Sequence, residues 1–292
     1  MRKTLYLLLL LLSSCIWNDD HVSSSLEYRR LFDKTPCHQI AKAILQGDSS
    51  KIERLIKKNV HLVNYRDSVW GQTLLMYSVY FNKKNAVEIL LKYGADPNVY
   101  EDSITHQGSN SILIACNYDH VSSEILNILL DNGGDPESHY CGVLQDNLGH
   151  YYNVGSYAVQ VASGRNLEKL KMLLKYGANL RKWSDEHSSC PTMIAAEFEK
   201  MEILLYLLEH DADYDCVSKS YSESDTTEIG LCGILRRCVF PLGSKEHYYK
   251  MKVVDFLLEK GIKYKDEPIP EYVINDVQKY YPDSWQEYLR EY

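Results

Sequence analysis

The sequence predicts an all-α fold, an elongated solenoid of about six stacked helix-turn-helix units. Three observations carry that prediction. One phrase, clearest as "EILLKYGADPN" ending at Asn98, recurs six times along the chain. Its copies are spaced as a unit of roughly 33 residues carrying insertions would space them. Before most copies stands a second stretch rich in small side chains, placed where the other helix of each unit belongs.

The opening residues, MRKTLYLLLLLLSSC, are a separate element. Arg2 and Lys3 precede an apolar run from Leu5 to Leu12, and small residues follow it. A bilayer core takes about 20 apolar residues to cross, far more than this run supplies. The order of basic, apolar and small residues is that of a secretory signal peptide. Leu12-Ser13-Ser14-Cys15 resembles the lipobox of bacterial lipoproteins, in which the peptide is cut before the cysteine and the cysteine is acylated. That resemblance implies a signal peptide over 1–14, a lipid on Cys15 and a linker over 15–35. Each acyl chain adds about 0.8 kcal/mol of membrane affinity per buried methylene. Residue 16 is Ile rather than Asp, which in enterobacterial-type sorting argues against retention at the inner membrane. The expected location is therefore the cell envelope, at the outer membrane, on its periplasmic face or at the surface. No other segment is apolar enough to span a bilayer.

The repeated phrases are "ERLIKKNVHLVN", "EILLKYGADPN", "NILLDNGGDPE", "KMLLKYGANLR", "LYLLEHDADYD" and "VDFLLEKGIKYK". Their leading leucines are Leu55, Leu90, Leu129, Leu173, Leu207 and Leu257, at spacings of 35, 39, 44, 34 and 50. The leucines continue an apolar face at i, i+3/i+4 spacing. Gly94 or Gly177 stands where a helix ends left-handed, and Pro97 or Pro136 forbids its continuation. Upstream lie "TLLMYSV" from Thr73, "SILIACN" from Ser111, "SYAVQVA" from Ser156 and "CPTMIAA" from Cys190, with "TEIGLCG" from Thr227 as the most degraded copy.

Together these phrases resemble ankyrin repeats, whose first helix opens T-P-L-H-x-A-A and whose second exits through G-A-D-P/x-N. The resemblance covers about residues 36–265 and implies a protein-binding solenoid. An isolated unit cannot bury its apolar face, so stability comes from stacking, with polar end units. The first copy reads as one such cap. Residues 266–292 carry seven acids against two bases and read as a C-terminal cap of one or two helices, with Tyr272, Val273, Val277 and Tyr280 turned inward.

The chain holds 40 acidic against 32 basic residues, a formal charge of -8. That balance disfavours nucleic acid, whose binders need a basic footprint, and suits a protein partner with a basic surface. Seven cysteines follow Cys15, an odd number that cannot all pair within the chain, and no C-x-x-C occurs among them. Cys190 and Cys216 lie at the base of adjacent turns and are the one pair expected as a disulfide.

No arrangement of residues points to catalysis. There is no phosphate-binding P-loop and no H-E-x-x-H. His139, Cys141 and His150 share a loop but match no metal-site spacing, and Cys37-His38 are neighbours in sequence only. Neither a cofactor nor a metal is expected.

Binding is expected on the concave face, built in ankyrin proteins from the finger turns and the exposed side of the first helices. Tyr65, Tyr100, Tyr140 and Trp183 recur ten or eleven residues after each leucine pair, and Trp70, Tyr151, Tyr152 and Tyr221 stand in the same loops. Exposed aromatics bury much area at little entropic cost and are enriched at interface hot spots. The insertions 137–156 and 214–228 are long for loops and the second is acidic. The sequence thus reads as a non-catalytic envelope lipoprotein that binds protein. It suits an immunity protein that neutralises a secreted toxin. An envelope scaffold or assembly factor, or a surface lipoprotein engaging host or neighbouring cells, fits the same residues.

Overall fold

The computed structural model describes residues 26–102, 107–145, 151–153, 155–183, 190–222 and 225–292. Cys15 and its leader lie outside the described residues, as does His150. Six helix pairs follow one another along the described chain. They are α1 (His38–Gln46) with α2 (Ser49–Lys58), α3 (Leu74–Tyr80) with α4 (Lys84–Lys92), and α5 (Ser111–Asn117) with α6 (Ser123–Asp131). After these come α7 (Ala158–Ser163) with α8 (Leu167–Lys175), α9 (Pro191–Glu197) with α10 (Met201–Glu209), and α11 (Leu231–Leu235) with α12 (Lys245–Glu259). First helices stack on first helices from α1 to α11, and α2, α4, α6 and α8 stack alongside them. Among the described residues no helix is long and apolar enough to cross a membrane.

The repeated phrase does the same physical work in each copy. Leu90, Leu129, Leu173, Leu207 and Leu257 are fully buried between first and second helices. In the worn first copy Ile56 takes that place and Leu55 is only half-buried. Ala115, Ala162, Ala195 and Ala196 are also fully buried, and their small size lets neighbouring first helices approach closely. Thr73, Asn110 and Asn166 cap α3, α5 and α8 by accepting from the backbone N–H three residues on.

At the exit, Gly94 is left-handed (φ 87°) and the Ala95 N–H returns to the Leu90 carbonyl at 2.9 Å. The aspartate of the phrase, or the asparagine in its place, then closes a turn on itself. Asp96 Oδ1 accepts from the Asn98 N–H, Asp135 Oδ1 from Glu137 and Asn179 Oδ1 from Arg181, each at 2.9 Å.

The next side chain reaches forward to the following repeat. Asn64 bridges to Gly94 and Asp96, and Asn98 bridges to Gly133 and Asp135. Further along, ion pairs replace the amides: Glu137 meets Lys182, and Arg181 meets Asp213 at 3.8 Å.

Three features depart from the sequence reading. Both long insertions contain antiparallel hairpins, β1 (Val143–Gln145) with β2 (Tyr151–Asn153) and β3 (Val217–Ser222) with β4 (Asp225–Gly230). Thr227–Gly230, expected to open the last first helix, belong to β4. The β-branched Thr226, Thr227 and Ile229 favour a strand there, and α11 begins only at Leu231.

The second departure is in the C-terminal cap, formed by α13 (Glu271–Tyr280) and α14 (Trp285–Glu291). Val273 and Val277 are buried, but Tyr272 is 42% and Tyr280 65% exposed. Tyr272 lies about 100° around the helix from Val273, and Tyr280 is the last residue of α13. Tyr288 and Tyr292 fill the cap's core instead.

Third, residues 26–35 do not behave as free linker. Tyr28 and Phe32 are buried against the repeats.

Candidate protein-binding surface

The first helices are short, and in the four middle ones, α3, α5, α7 and α9, the residue seven places after the start stands where the chain leaves the helix. Those residues are Phe81, Tyr118, Arg165 and Phe198. With Tyr80 they form a row of rings along the stack. Tyr80 and Tyr118 meet edge to face at 5.0 Å, and Tyr80 contacts Phe81 at 5.1 Å. The Arg165 guanidinium lies 5.7 Å from the centre of the Phe198 ring, within cation–π range. His120 joins the row through Tyr80 and Tyr118, and its Nε2 donates to the Tyr80 carbonyl at 2.7 Å. Lys169 is buried and donates to the Tyr118 carbonyl at 2.8 Å, which fixes the loop that carries the ring.

Phe198 is 41% exposed. Beside it opens a depression of about 760 Å³ whose lining includes Arg165, Lys171, Lys200, Lys245, Glu168 and Glu202. Its mixed charges and open form suit a protein surface rather than an enclosed small-molecule site.

Under the start of the row runs a buried polar chain. The Asp67 carboxylate accepts from the backbone N–H groups of Val69, Trp70 and Gln72. The Gln72 carboxamide donates to Glu101, and Glu101 also accepts from the Ser109 N–H at 2.9 Å. Burial pushes the Glu101 carboxyl up to about 7, against the lowering pull of these two hydrogen bonds.

The finger aromatics expected from the sequence divide. Tyr65, Trp70, Tyr100 and Trp183 are half-buried and pack against the core with one face. Tyr140 does not belong to a binding surface: it is 4% exposed, and its backbone N–H is tied to the Ser156 carbonyl at 3.0 Å. It stands eleven residues after its leucine pair where its counterparts stand ten, with the extra residue in the turn between Pro136 and Tyr140. Tyr100 packs toward His139, which in turn lies 5.0 Å from Tyr157, so part of the row joins finger to finger. Tyr151 and Tyr152 fall on β2 and Tyr221 on β3, and their side chains lie outside the described residues. Tyr80, Phe81, Tyr118 and Phe198 were missed by reasoning from fingers alone. Phe81, Tyr118 and Phe198 share the interval of seven from the starts of α3, α5 and α9, and Tyr80 stands one residue before it.

Cys190 and Cys216 form a disulfide, with Cα atoms 6.5 Å apart. The other described cysteines are free. Burial pushes the Cys37, Cys116 and Cys238 thiols up to about 12, which is the opposite of an activated nucleophile. Among the described residues no three His, Cys, Asp or Glu side chains are grouped to hold a metal.

Comparison with known proteins agrees with this architecture. A family model described as "Ankyrin repeats (3 copies)" matches residues 8–101, 37–140 and 112–218. Among solved structures, the crystal structure of the ankyrin repeat domain of Bcl-3, described as a unique member of the IkappaB protein family, matches with a TM-score of 0.54. It is 20% identical over 77% of this chain and 86% of that chain, a likeness of fold alone. No curated protein matches the sequence.

Proposed function

The chain belongs to the ankyrin-repeat family, and from that premise we propose a lipid-anchored envelope protein that grips a basic protein partner along its aromatic groove. Ankyrin repeats serve protein–protein interaction rather than catalysis; the anchor, the location and the partner are our reading. The observation that carries it is the row from Tyr80 through Tyr118 to Phe198, rings presented beside the buried Glu101 carboxyl on a chain of net charge -8. Aromatic rings complement the cationic and apolar side chains of a basic partner, and the chain's negative net charge favours its approach.

An exported inhibitor of a secreted toxin is the role we assign to this surface. Anchoring at Cys15 would hold the solenoid where toxins arriving from neighbouring cells can be intercepted.

The test is affinity capture with the full chain and with Tyr118→Ala/Phe198→Ala, against secreted and envelope fractions of the native organism and its neighbours. One stoichiometric, secreted, basic protein is expected, lost in the double variant while helicity is kept. Recovery of resident envelope proteins alone would replace the inhibitor with a scaffold. Cys15→Ala should release the chain from membranes; continued membrane association removes the anchor from this reading.

A further inference from the structure

The segment before α1 does something that a plain end cap would not. A cap would cover the free outer side of α1, the first helix of the stack. Tyr28 instead reaches to the second repeat and the finger before it. Its ring lies 5.6 Å from Trp70, 5.7 Å from Tyr77, 4.3 Å from Tyr80 and 5.8 Å from Phe81. Its hydroxyl donates to Gln72 Oε1 at 2.8 Å, and Gln72 passes the chain to Glu101. Arg29 is an exposed residue whose guanidinium lies over the Phe81 ring at 5.1 Å, and its carbonyl accepts from the Tyr77 hydroxyl at 2.9 Å. The start of the aromatic row is therefore filled by two consecutive side chains of the protein's own N-terminal segment, one aromatic with a hydroxyl and one cationic.

We propose that this Tyr28–Arg29 contact is an internal copy of the partner's recognition element. The groove floor between Trp70, Tyr80, Phe81 and Gln72 accepts an exposed tyrosine–arginine step of the bound protein, which displaces residues 26–30 when it binds. The inference deepens the functional reading above and rests on it.

The chemistry of the seat selects this partner. Four rings surround the Tyr28 ring, so an aliphatic side chain of similar length would leave their faces unfilled. The carboxamide of Gln72 is buried and held at both ends, so a ring without a hydroxyl leaves its oxygen unpaired. Phe81 offers a ring face to the Arg29 guanidinium, which favours a cation in the following position. Tyr80 belongs to both the seat and the exposed row, so a partner lying along Tyr118 and Phe198 runs into the seat at its end.

Two full-length proteins test this, wild type and Tyr28→Ala/Arg29→Ala, titrated with a fluorescent peptide of residues 24–36, SSLEYRRLFDKTP. The vacated variant is expected to bind the peptide at least tenfold more tightly than wild type, in which the seat is already filled. Alanine in the peptide at the Tyr28 or Arg29 position should abolish binding, and alanine at Phe32 should leave most of it. Equal binding to both proteins, no binding to the vacated one, or binding carried by Phe32 alone overturns the proposal. So does a fall of more than about 10 °C in the variant's melting temperature, which would make Tyr28 a structural strut. The capture experiment separates the two levels of argument. Partner capture lost in Tyr118→Ala/Phe198→Ala but indifferent to excess peptide sinks this inference alone; capture indifferent to both sinks the groove as well.

Discussion

Both ends of the solenoid receive a tyrosine, and the two seats are built on opposite charges. At the first end, Tyr28 rests on a floor whose titrating group is Glu101, reached through Gln72. At the last end, Tyr292 rests on Lys250 and Arg236. The Lys250 ammonium lies 3.5 Å from the centre of the Tyr292 ring, Arg236 donates to the Tyr292 carbonyl at 3.0 Å, and the Tyr292 hydroxyl donates to the Arg236 carbonyl at 2.7 Å. Tyr292 closes off a second apolar core with Tyr288, Val273 and Val277. Tyr28 covers rings that continue, half-exposed, into an open groove. One tyrosine finishes the fold and the other occupies a surface.

The largest expected effect separates these roles by stability. Tyr292→Ala removes a 2%-exposed ring, takes from Lys250 the nearer of its two rings and uncovers the cap core, a loss on the scale of about 3–5 kcal/mol for a large core aromatic. If residues 26–30 are displaceable as proposed above, Tyr28→Ala costs less, because the repeats stay folded without that contact. Chemical denaturation of both variants measures the gap. Equal losses would erase the distinction and make both segments caps.

The two floors should also respond to pH in opposite directions. Glu101 is raised from 4.5 to about 7 by burial. Between those values the folded chain holds a proton that the unfolded chain has released, so this group makes stability fall as pH rises toward 7. Lys250 is lowered from 10.5 to about 7, again by burial. Above 7 the unfolded chain holds the proton that the folded one lacks, and this group makes stability rise with pH.

Glu101→Gln should therefore gain on wild type between pH 5 and pH 8, by up to roughly 2–3 kcal/mol. The Gln72 carboxamide can turn over to keep both hydrogen bonds in that variant. The advantage of Lys250→Met should instead shrink from pH 7 to pH 9. Melting temperatures across that range give both slopes. Parallel slopes would mean that neither buried charge governs its end of the molecule.

How much of this was legible in the sequence follows from the range of the forces involved. Leu90, Gly94 and Asp96 act within one repeat, and their spacing reports the helix, its end and its turn. The second hairpin was written in Val217, Thr226, Thr227 and Ile229, but a search for helical copies passes over a strand inserted between them. Tyr140 looked like Tyr100 and Trp183 because sequence position records the finger and not the side to which it turns. Phe81, Tyr118 and Phe198 were visible as a repeat position, once helix starts rather than leucine pairs set the count. Tyr28 was beyond reach: its partners lie more than 40 residues away, and nothing local marks residues 26–30 for the groove.

The smallest effect tests the repeats themselves, the part that the two ends share. Among the described residues four second-helix exits use left-handed glycine, with φ of 87° at Gly94, 84° at Gly133, 96° at Gly177 and 82° at Gly261. The fifth copy, "EHDADYD", puts Asp211 at that place, and the backbone still turns left-handed at φ 61°. An L-residue there meets the steric penalty of about 1–2 kcal/mol that glycine escapes, eased for aspartate by its short polar side chain. The Asp211 carbonyl, which accepts from Arg181 Nε at 3.3 Å, would be kept by any residue. Asp211→Gly should thus stabilise the chain by a few tenths to about 1 kcal/mol, the relief of strain exceeding the added freedom of the unfolded chain. Thermal unfolding at pH 7 measures it. A loss of stability would mean that the aspartate side chain holds the α10 exit through a contact worth more than the strain, and that the fifth repeat ends by a different device from its neighbours.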